Sequence, residues 1–188
     1  MVRTVRDFPP EESAPYPEAD ASDAELKDGT AVHLRPIFRD EGPRLLELYD
    51  RLSSESLYFR FFAVPDKDRS KADYLAHVDY ANRYAIVAEV GHTLAGVARW
   101  ERSLTDPTRA EVAFTVADDL QGKGLGSLFF RRLATLARAR GIETFEAEVL
   151  PDNERMLRVF ARSGLAQTSR ADPPALHVEI ALGGEPPA

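Results

Sequence analysis

A glycine-rich turn between a strand-like run and a long helical run constrains this fold more than any other feature of the sequence. Val112 to Val116 alternates as a strand does, and Gln121-Gly122-Lys123-Gly124-Leu125-Gly126 follows shortly after it. Apolar residues then recur at helical spacing from about residue 124 to 140, and Gly141 is a natural stop. The first turn of such a helix carries unpaired N–H groups and the positive end of the helix dipole. The pattern therefore predicts a site for an anionic phosphate group at the head of this helix.

The remaining apolar patterns predict one mixed α/β domain. Gly91-His92 is a plausible hairpin turn between two strand-like runs, and Ser53 and Ser70 stand at capping positions of short helices. Hairpins come first along the chain and strand–helix–strand crossovers come later, so the sheet is expected to be mixed. The predicted strands cover residues 31–35, 84–90, 94–102, 110–116, 144–149 and 177–182, and the predicted helices begin near residues 44, 53, 70, 124 and 153.

Composition separates the two ends from the domain. Residues 1–28 hold eight acidic and three basic side chains and four prolines, and this gives them −5 of the net charge of −7. We predict an acidic, proline-rich, disordered tail over 1–28, a single domain over 29–183 and a flexible end over 184–188. Because the domain is nearly neutral, the sequence gives no sign of nucleic-acid binding.

The sequence also bears on the location of the protein in the cell and on whether it binds a metal. No apolar run approaches the roughly 18 residues of a membrane span, and the N-terminus lacks the apolar core of a secretory signal. We therefore predict a cytoplasmic protein without a membrane contact. The chain has no cysteine, and its four histidines are far apart, so no metal site is expected.

The glycine spacing narrows the choice of phosphate ligand. A Walker loop needs serine or threonine after its lysine, and Lys123 is followed by Gly124. A dinucleotide fingerprint needs glycine where Ser127 stands, and its loop follows the first strand of the fold. The loop therefore matches neither of these nucleotide-binding motifs. One structural alternative stays open, in which the glycines only permit a tight turn and bind no ligand.

Gln121-x-x-Gly124-x-Gly126 resembles the Q/R-x-x-G-x-G/A signature of the GNAT superfamily of N-acetyltransferases, and the resemblance extends over about residues 32–182. It implies the GNAT fold, a central, mostly antiparallel sheet with splayed strands flanked by helices. It also implies that acetyl-CoA is the cosubstrate, with its diphosphate on the loop amides and its pantetheine arm beside the preceding strand. The cofactor-binding residues that it implies are Phe114, Val116, Gln121, Gly122, Lys123, Gly124, Leu125, Gly126, Ser127 and Asn153. From the residues alone, Asn153 has a helix cap as an equal alternative.

The chemistry that the resemblance implies is direct attack of an amine on the thioester. A lysine-type amine has a pKa of about 10.4 and is almost wholly protonated at pH 7, so a base must take its proton. Glu111 precedes the strand Val112–Val116 and is the best candidate, with Glu101, Glu89 and Asp79 as weaker alternatives. Many family members place a tyrosine in the last helix to protonate the thiolate, whereas this chain has Phe160, which cannot donate a proton.

The acceptor is suggested by the run from Leu52 to Phe62, which is similar to a segment of bacterial protein-lysine acetyltransferases that modify acyl-CoA synthetases. That similarity implies a protein lysine as the acceptor and an acyl-CoA synthetase as the partner of a monomer or homodimer. Two alternatives stay open. One is acetylation of a small amine, such as a polyamine, an aminoglycoside or an amino acid. The other is a non-catalytic module that senses acyl-CoA.

Overall fold

The computed structural model describes residues 14–62 and 69–183. In chain order, its elements are β1 (Ser22–Glu25), β2 (Ala31–Pro36), α1 (Gly42–Asp50), α2 (Ser54–Phe61), α3 (Arg69–Ala76), β3 (Arg83–Val90), β4 (Thr93–Arg102), β5 (Arg109–Val116), α4 (Leu125–Arg138), β6 (Thr144–Val149), α5 (Glu154–Ala161), β7 (Gln167–Asp172) and β8 (Ala175–Ala181). Two short 3-10 turns lie at Glu18–Asp20 and Asp118–Leu120.

The strands form one sheet in the order β1-β2-β3-β4-β5-β6-β8-β7. Every neighbouring pair is antiparallel except β5 and β6, which are parallel and are joined through α4. A parallel pair needs a long crossover, and the helix after the glycine-rich turn supplies it. The predicted mixed α/β class with a mostly antiparallel sheet is therefore confirmed.

The parallel pair is short, and its two strands separate beyond it. Pairing between β5 and β6 covers only residues 109–111 and 144–146. The rest of β5, residues 112–116, is paired with β4 alone. A wedge-shaped opening therefore begins at Glu111 and widens toward the head of α4, as the splayed-strand prediction requires.

The two faces of the sheet are covered by different helices. Phe130 of α4 is buried against Phe114, Phe145 and Phe160, with ring centroids 5.8–6.4 Å apart. This aromatic cluster ties α4 and α5 to β5 and β6. On the opposite face, α1 and α3 pack together, and the Arg99 side chain on β4 donates a 3.0 Å hydrogen bond to a carbonyl of α3. Because strands alternate, Glu111 and Thr115 project to this second face, and Phe114 projects to the first.

Most predicted elements appear within two residues of their expected ends. Of the two serines predicted to cap the short helices before β3, one is a cap and the other is not. Ser53 caps α2 as predicted, because its hydroxyl accepts a 3.2 Å hydrogen bond from the N–H of Ser56. Ser70, in contrast, lies inside α3 and not at its cap. The Gly91-His92 turn between β3 and β4 is confirmed.

Two strands were not predicted, and one of them corrects the domain boundary. β1 pairs with β2, so residues 14–28 belong to the domain and not to a flexible tail. Asp20 also accepts hydrogen bonds from the Tyr84 hydroxyl at 2.5 Å and from Arg140 at 2.6 Å. The acidic, proline-rich composition hid a strand that is held by side-chain partners elsewhere in the chain. β7 was missed because all six of its residues are exposed, which leaves no apolar alternation. Residues 1–13 and 184–188 lie outside the described residues.

A buried ion-pair network fastens β2 to the start of α1. Arg35 and Glu41 are 7% and 6% exposed, and the guanidinium makes two hydrogen bonds of 2.6 and 2.7 Å to the carboxylate. Glu89 on β3 accepts a further bond from Arg35 at 2.8 Å. Burial by itself would raise the pKa of Glu41, but the hydrogen bonds from Arg35 and from the N–H of Phe38 outweigh it and hold that pKa below its ordinary value.

Replacing Glu41 by glutamine is expected to lower the free energy of unfolding by about 2 kcal/mol, because the buried Arg35 guanidinium loses one of its two charged partners and keeps only Glu89. A lowered folded-state pKa contributes stability above the unfolded-state pKa and loses it as the pH falls through the folded-state pKa. The gap between wild type and Glu41→Gln should therefore be full above about pH 4.5 and shrink in more acidic buffer. Urea titrations at several pH values measure it. Glu47→Gln, on the exposed face of α1, is the matched control and should change stability by less than about 0.5 kcal/mol.

Candidate active site

The head of α4 is open. Its capping residue is Gly124, in the left-handed conformation with φ +99°, and no side chain among the described residues caps the helix there. The first N–H donated within this helix is that of Leu128, to the carbonyl of Gly124. The amides of Leu125, Gly126 and Ser127 therefore precede the first intrahelical bond and are available to a ligand. Together with the helix dipole, they form an anion site.

A cavity of about 260 Å³ lies beside these amides, between the end of β5 and helices α2 and α5. None of the described residues that line it is acidic, and four are arginines. This lining suits an elongated ligand with an anionic end. The cavity is lined by Ser56, Phe59, Arg60, Phe114, Thr115, Val116, Leu120, Gln121, Gly122, Gly124, Gly126, Ser127, Asn153, Arg155, Met156, Arg158, Val159 and Arg162.

The structure brings most of the predicted cofactor-binding residues to this cavity. Those that line it are Phe114, Val116, Gln121, Gly122, Gly124, Gly126, Ser127 and Asn153. Lys123 and Leu125 are not among the lining residues. The Leu125 side chain is 1% exposed and belongs to the hydrophobic core, so only its backbone can serve a ligand.

The Gln121 side chain braces the site. Its amide nitrogen donates to the carbonyl of Val116 at 3.2 Å and to the carboxylate of Asp118 at 2.8 Å, and its oxygen accepts from Arg155 at 2.6 Å. Asp118 in turn accepts a 2.5 Å bond from the Ser56 hydroxyl on α2. Gln121 therefore ties the end of β5 to α2 and α5. This side chain positions the walls of the cavity.

Lys123 faces the β1–β2 turn. Its ammonium lies 3.0 Å from the carboxylate of Asp28, and its carbonyl accepts a 3.1 Å hydrogen bond from the N–H of Lys27. The bond from Lys123, followed by those from Thr30, holds the pKa of Asp28 at about 2. The segment expected to be a free tail thus supports the loop, and the Lys123 side chain serves this contact.

Asn153 is the helix cap, one of the two alternatives left open by the sequence, and it also lies at the cavity. Its side-chain oxygen accepts a 3.1 Å hydrogen bond from the N–H of Met156, so it is the cap of α5. It also lines the cavity, so a cofactor contact remains compatible with the cap.

Glu111 lies where β5 and β6 separate, on the α1 and α3 face of the sheet. Glu111 is exposed, so the apolar residues of the strands do not enclose it. Its cross-strand neighbours are Glu101 on β4 and Glu146 on β6. Each neighbour is engaged by an arginine, since Glu101 accepts from Arg99 at 3.0 Å and Glu146 accepts from Arg109 at 2.5 Å.

The three weaker candidates for the base are committed elsewhere. Glu101 also lies 3.6 Å from the Arg83 guanidinium, and Glu89 belongs to the Arg35 network. Asp79 accepts two backbone N–H bonds of 2.8 Å, from residues 81 and 83. These contacts give the three carboxylates structural roles, and Glu111 is the candidate that lies at the last pair before β5 and β6 part.

Phe160 lies away from the cavity, in the aromatic core. It is 1% exposed and contacts Phe114 and Phe130 edge-on. The tyrosine position that the family resemblance pointed to is therefore occupied here by a packing residue.

A second cluster of polar side chains lies on β6 and β8, outside this site. Oxygen or nitrogen atoms of Glu146, His177 and Glu179 come within 4.8 Å of one another, a grouping that the separation of the histidines in sequence did not suggest. The Arg109 guanidinium bonds to Glu146 and lies 2.6 Å from Glu179. This one cation therefore pairs with both carboxylates.

The arginines of the cavity were not predicted, although the sequence holds a signal for three of them. The spacing of three and four residues places Arg155, Arg158 and Arg162 on one side of α5, with Arg162 directly after its last residue. Arg60 comes from α2, nearly a hundred residues earlier, and no local pattern connects it to them.

Comparisons with known proteins agree with this geometry. The model of the acetyltransferase (GNAT) family matches residues 45–165. Acetyltransferase Pat of Mycolicibacterium smegmatis is 38% identical over 143 residues, which are 74% of this chain and 43% of Pat. The crystal structure of the GNAT domain of S. lividans PAT superimposes with a TM-score of 0.82 at 34% identity, covering 89% of this chain and 99% of that domain.

A cAMP-binding acyltransferase from Mycobacterium smegmatis gives a TM-score of 0.61 at 29% identity, covering 88% of this chain and 49% of that one. The chain thus spans less than half the length of Pat and of this acyltransferase.

The splayed sheet and the open helix head form one cavity that suits an elongated ligand with an anionic end. The chain belongs to the acetyltransferase (GNAT) family, and the fold that the sequence predicted is confirmed. No helix in the described part of the chain has the length and apolar character needed to cross a membrane.

Proposed function

We propose that this protein transfers the acetyl group of acetyl-CoA to the side-chain amine of a lysine in another protein. The observation that carries the proposal is the uncapped head of α4, which opens onto an arginine-lined cavity at the splay of β5 and β6. The resemblance of the run from Leu52 to Phe62 to protein-lysine acetyltransferases supports a protein acceptor, and the chain is also similar to acetyltransferase Pat and to the GNAT domain of S. lividans PAT.

The anionic end of the cosubstrate fits the head of α4. The amides of Leu125, Gly126 and Ser127 would hold its diphosphate, and the arginines of α5 would balance its charge. Gly122 and Gly124, with φ values of +77° and +99°, allow the loop backbone to turn toward the ligand. When bound, acetyl-CoA supplies the activated acyl group.

The proposed reaction forms one bond and breaks one. The lysine nitrogen bonds to the acetyl carbon while the bond from that carbon to sulfur breaks, and the proton leaves the amine. Glu111, at the point of the wedge, takes this proton directly or through one water. Since Phe160 lies in the core and cannot donate, the proton that the thiolate takes up comes from water or from another residue.

The cavity itself argues against a polycationic small acceptor. Its described lining holds four arginines and no carboxylate, and two of them, Arg155 and Arg158, already pair with Glu55 and Glu154, so the lining itself offers a polyamine or an aminoglycoside no counter-charge. A protein can instead present one lysine while the rest of it packs outside the cavity.

Helix α2 offers such a surface. Phe59 and Arg60 line the cavity, while Tyr58 and Phe62 on the same helix and its end are 46% and 36% exposed. Exposed aromatic side chains are common anchors in protein interfaces. We propose that α2 forms part of the surface that receives the protein substrate.

Thiol release from acetyl-CoA tests the proposal, with a purified acyl-CoA synthetase as acceptor. We expect release together with acetyl-lysine on the synthetase by mass spectrometry. The same synthetase with its lysines dimethylated is the control and should give neither signal. Turnover with free polyamines or aminoglycosides alone would contradict the protein acceptor.

Because Phe160 cannot donate a proton to the thiolate, a second function is also worth testing. In this second function the protein binds acyl-CoA without turnover. In that case acetyl-CoA would raise the unfolding temperature through binding to the folded state, while no acceptor would give thiol release.

A further inference from the structure

The hydroxyl of Thr115 is buried and has no hydrogen-bond partner in the part of the chain that the structure describes. The residue is only 4% exposed, and it nevertheless lines the cavity. Most buried side-chain polar atoms in proteins have at least one partner, so this hydroxyl calls for a specific explanation.

A valine would fill the same place without an unpaired polar atom. Threonine and valine have nearly the same shape, and β5 carries valine at residues 112 and 116. A hydroxyl that is buried without a partner loses the hydrogen bonds that it makes to water in the unfolded chain, and no bond within the protein replaces them. The presence of the hydroxyl at this position points to a partner that arrives with a ligand.

Thr115 lies between the two ends of the proposed reaction path. Next to it, the carbonyl of Val116 accepts the 3.2 Å bond from Gln121 at the start of the glycine-rich loop. In the other direction, Glu111 is four residues away on the same strand and projects to the same face, a separation of about 13 Å at the usual rise per residue. A ligand that joins the loop to Glu111 must run past Thr115.

The other hydroxyls of the lining are different. The Ser56 hydroxyl donates to Asp118 at 2.5 Å and accepts from Gln121 at 3.0 Å. Ser127 is partly exposed, so its hydroxyl can reach water. Thr115 thus combines near-complete burial with an unused donor and acceptor.

We infer that the Thr115 hydroxyl hydrogen-bonds to an amide group of the arm that joins the diphosphate of the cosubstrate to its thioester. The inference rests on the proposed use of acetyl-CoA. The arm carries amide N–H and carbonyl groups, and a threonine hydroxyl can donate to one or accept from the other. Thr115 is in this role a specificity residue for the arm, separate from the phosphate contacts of the loop.

Two ligands separate this contact from the phosphate site. Acetyl-CoA carries both the diphosphate and the arm, whereas adenosine 3′-phosphate 5′-diphosphate carries the phosphates without the arm. We expect Thr115→Val to weaken acetyl-CoA binding about 5- to 15-fold by calorimetry, the size of one hydrogen bond. Binding of the armless nucleotide should be unchanged. Thr115→Ser, which keeps the hydroxyl, should recover most of the lost affinity.

The unfolding of the ligand-free variant provides a second measurement. Thr115→Val should be at least as stable as wild type in urea, because it removes an unpaired buried hydroxyl. Equal loss of affinity for both ligands, no loss for either, or marked destabilisation of the ligand-free variant would overturn the inference. Failure of the wild-type protein to bind either ligand would instead overturn the proposed function.

Discussion

Replacing Gly124 by aspartate is expected to reduce the affinity for acetyl-CoA by at least about 1,000-fold, or roughly 4 kcal/mol. Gly124 caps α4 with φ +99°, and it lines the cavity beside the free amides. Aspartate would place a carboxylate where the diphosphate is proposed to bind. Its Cβ would meet the Lys27 carbons at ordinary contact distances of 3.4–3.6 Å, so the expected loss comes from the charge and from the positive φ. Isothermal titration calorimetry measures the change directly.

Gly91→Asp is the matched control for this experiment. Gly91 also has positive φ, at +61°, and a Cβ added there would meet no atom within 4 Å. It lies in the β3–β4 hairpin and not in the cavity lining, so this variant carries the same charge change at another glycine of positive φ. Its acetyl-CoA affinity should equal that of wild type. Unchanged affinity in Gly124→Asp would remove the glycine-rich loop from the proposed site.

Replacing Glu111 by glutamine is expected to lower kcat about 10²- to 10⁴-fold, with little change in acetyl-CoA affinity. Glutamine is close to glutamate in shape but cannot accept the proton of the attacking amine. Glu111 lies at the point where β5 and β6 part, outside the residues that line the cavity, so the loss should fall on the chemical step. Thiol release at saturating acceptor, together with calorimetric binding, separates these two effects.

Glu146→Gln controls for the loss of one negative charge on this face. Glu146 is the neighbour of Glu111 across the parallel pair, and its partner Arg109 retains Glu179 when Glu146 is neutralised. We expect kcat within about 3-fold of wild type. An equal loss in both variants would mean that the face acts through its overall charge, and that Glu111 is not the base.

The elements with strong local periodicity could be predicted from the sequence, and those without it could not. The apolar spacing of α4, the continuous apolar runs of β3 and β4 and the alternation of β5 and β6 gave bounds within about two residues of those observed. β1 and β7 are edge strands that bury little apolar surface, so their pairing leaves no trace in the pattern. Glu41 shows the same limit, because its burial depends on Arg35 and Glu89.

The candidate site divides in the same way. The glycine-rich loop is a contiguous segment whose backbone chemistry is encoded by its own residues, so it could be identified directly. The other side of the cavity could not be identified from the sequence, because Arg60 on α2 and Thr115 on β5 line it from distant parts of the chain. The role of the Gln121 side chain also depends on three of these elements, since it bonds to groups of β5, α2 and α5.

By itself, the sequence determined that a helix would begin at a glycine-rich turn after a strand, because helix and strand periods and glycine conformations are properties of short segments. The tertiary structure decided that this helix head stays open, that Lys123 turns to Asp28, and that the Thr115 hydroxyl is buried without a partner. These features depend on which groups from distant parts of the chain come within hydrogen-bond distance. Only the packed sheet and its helices fix those distances.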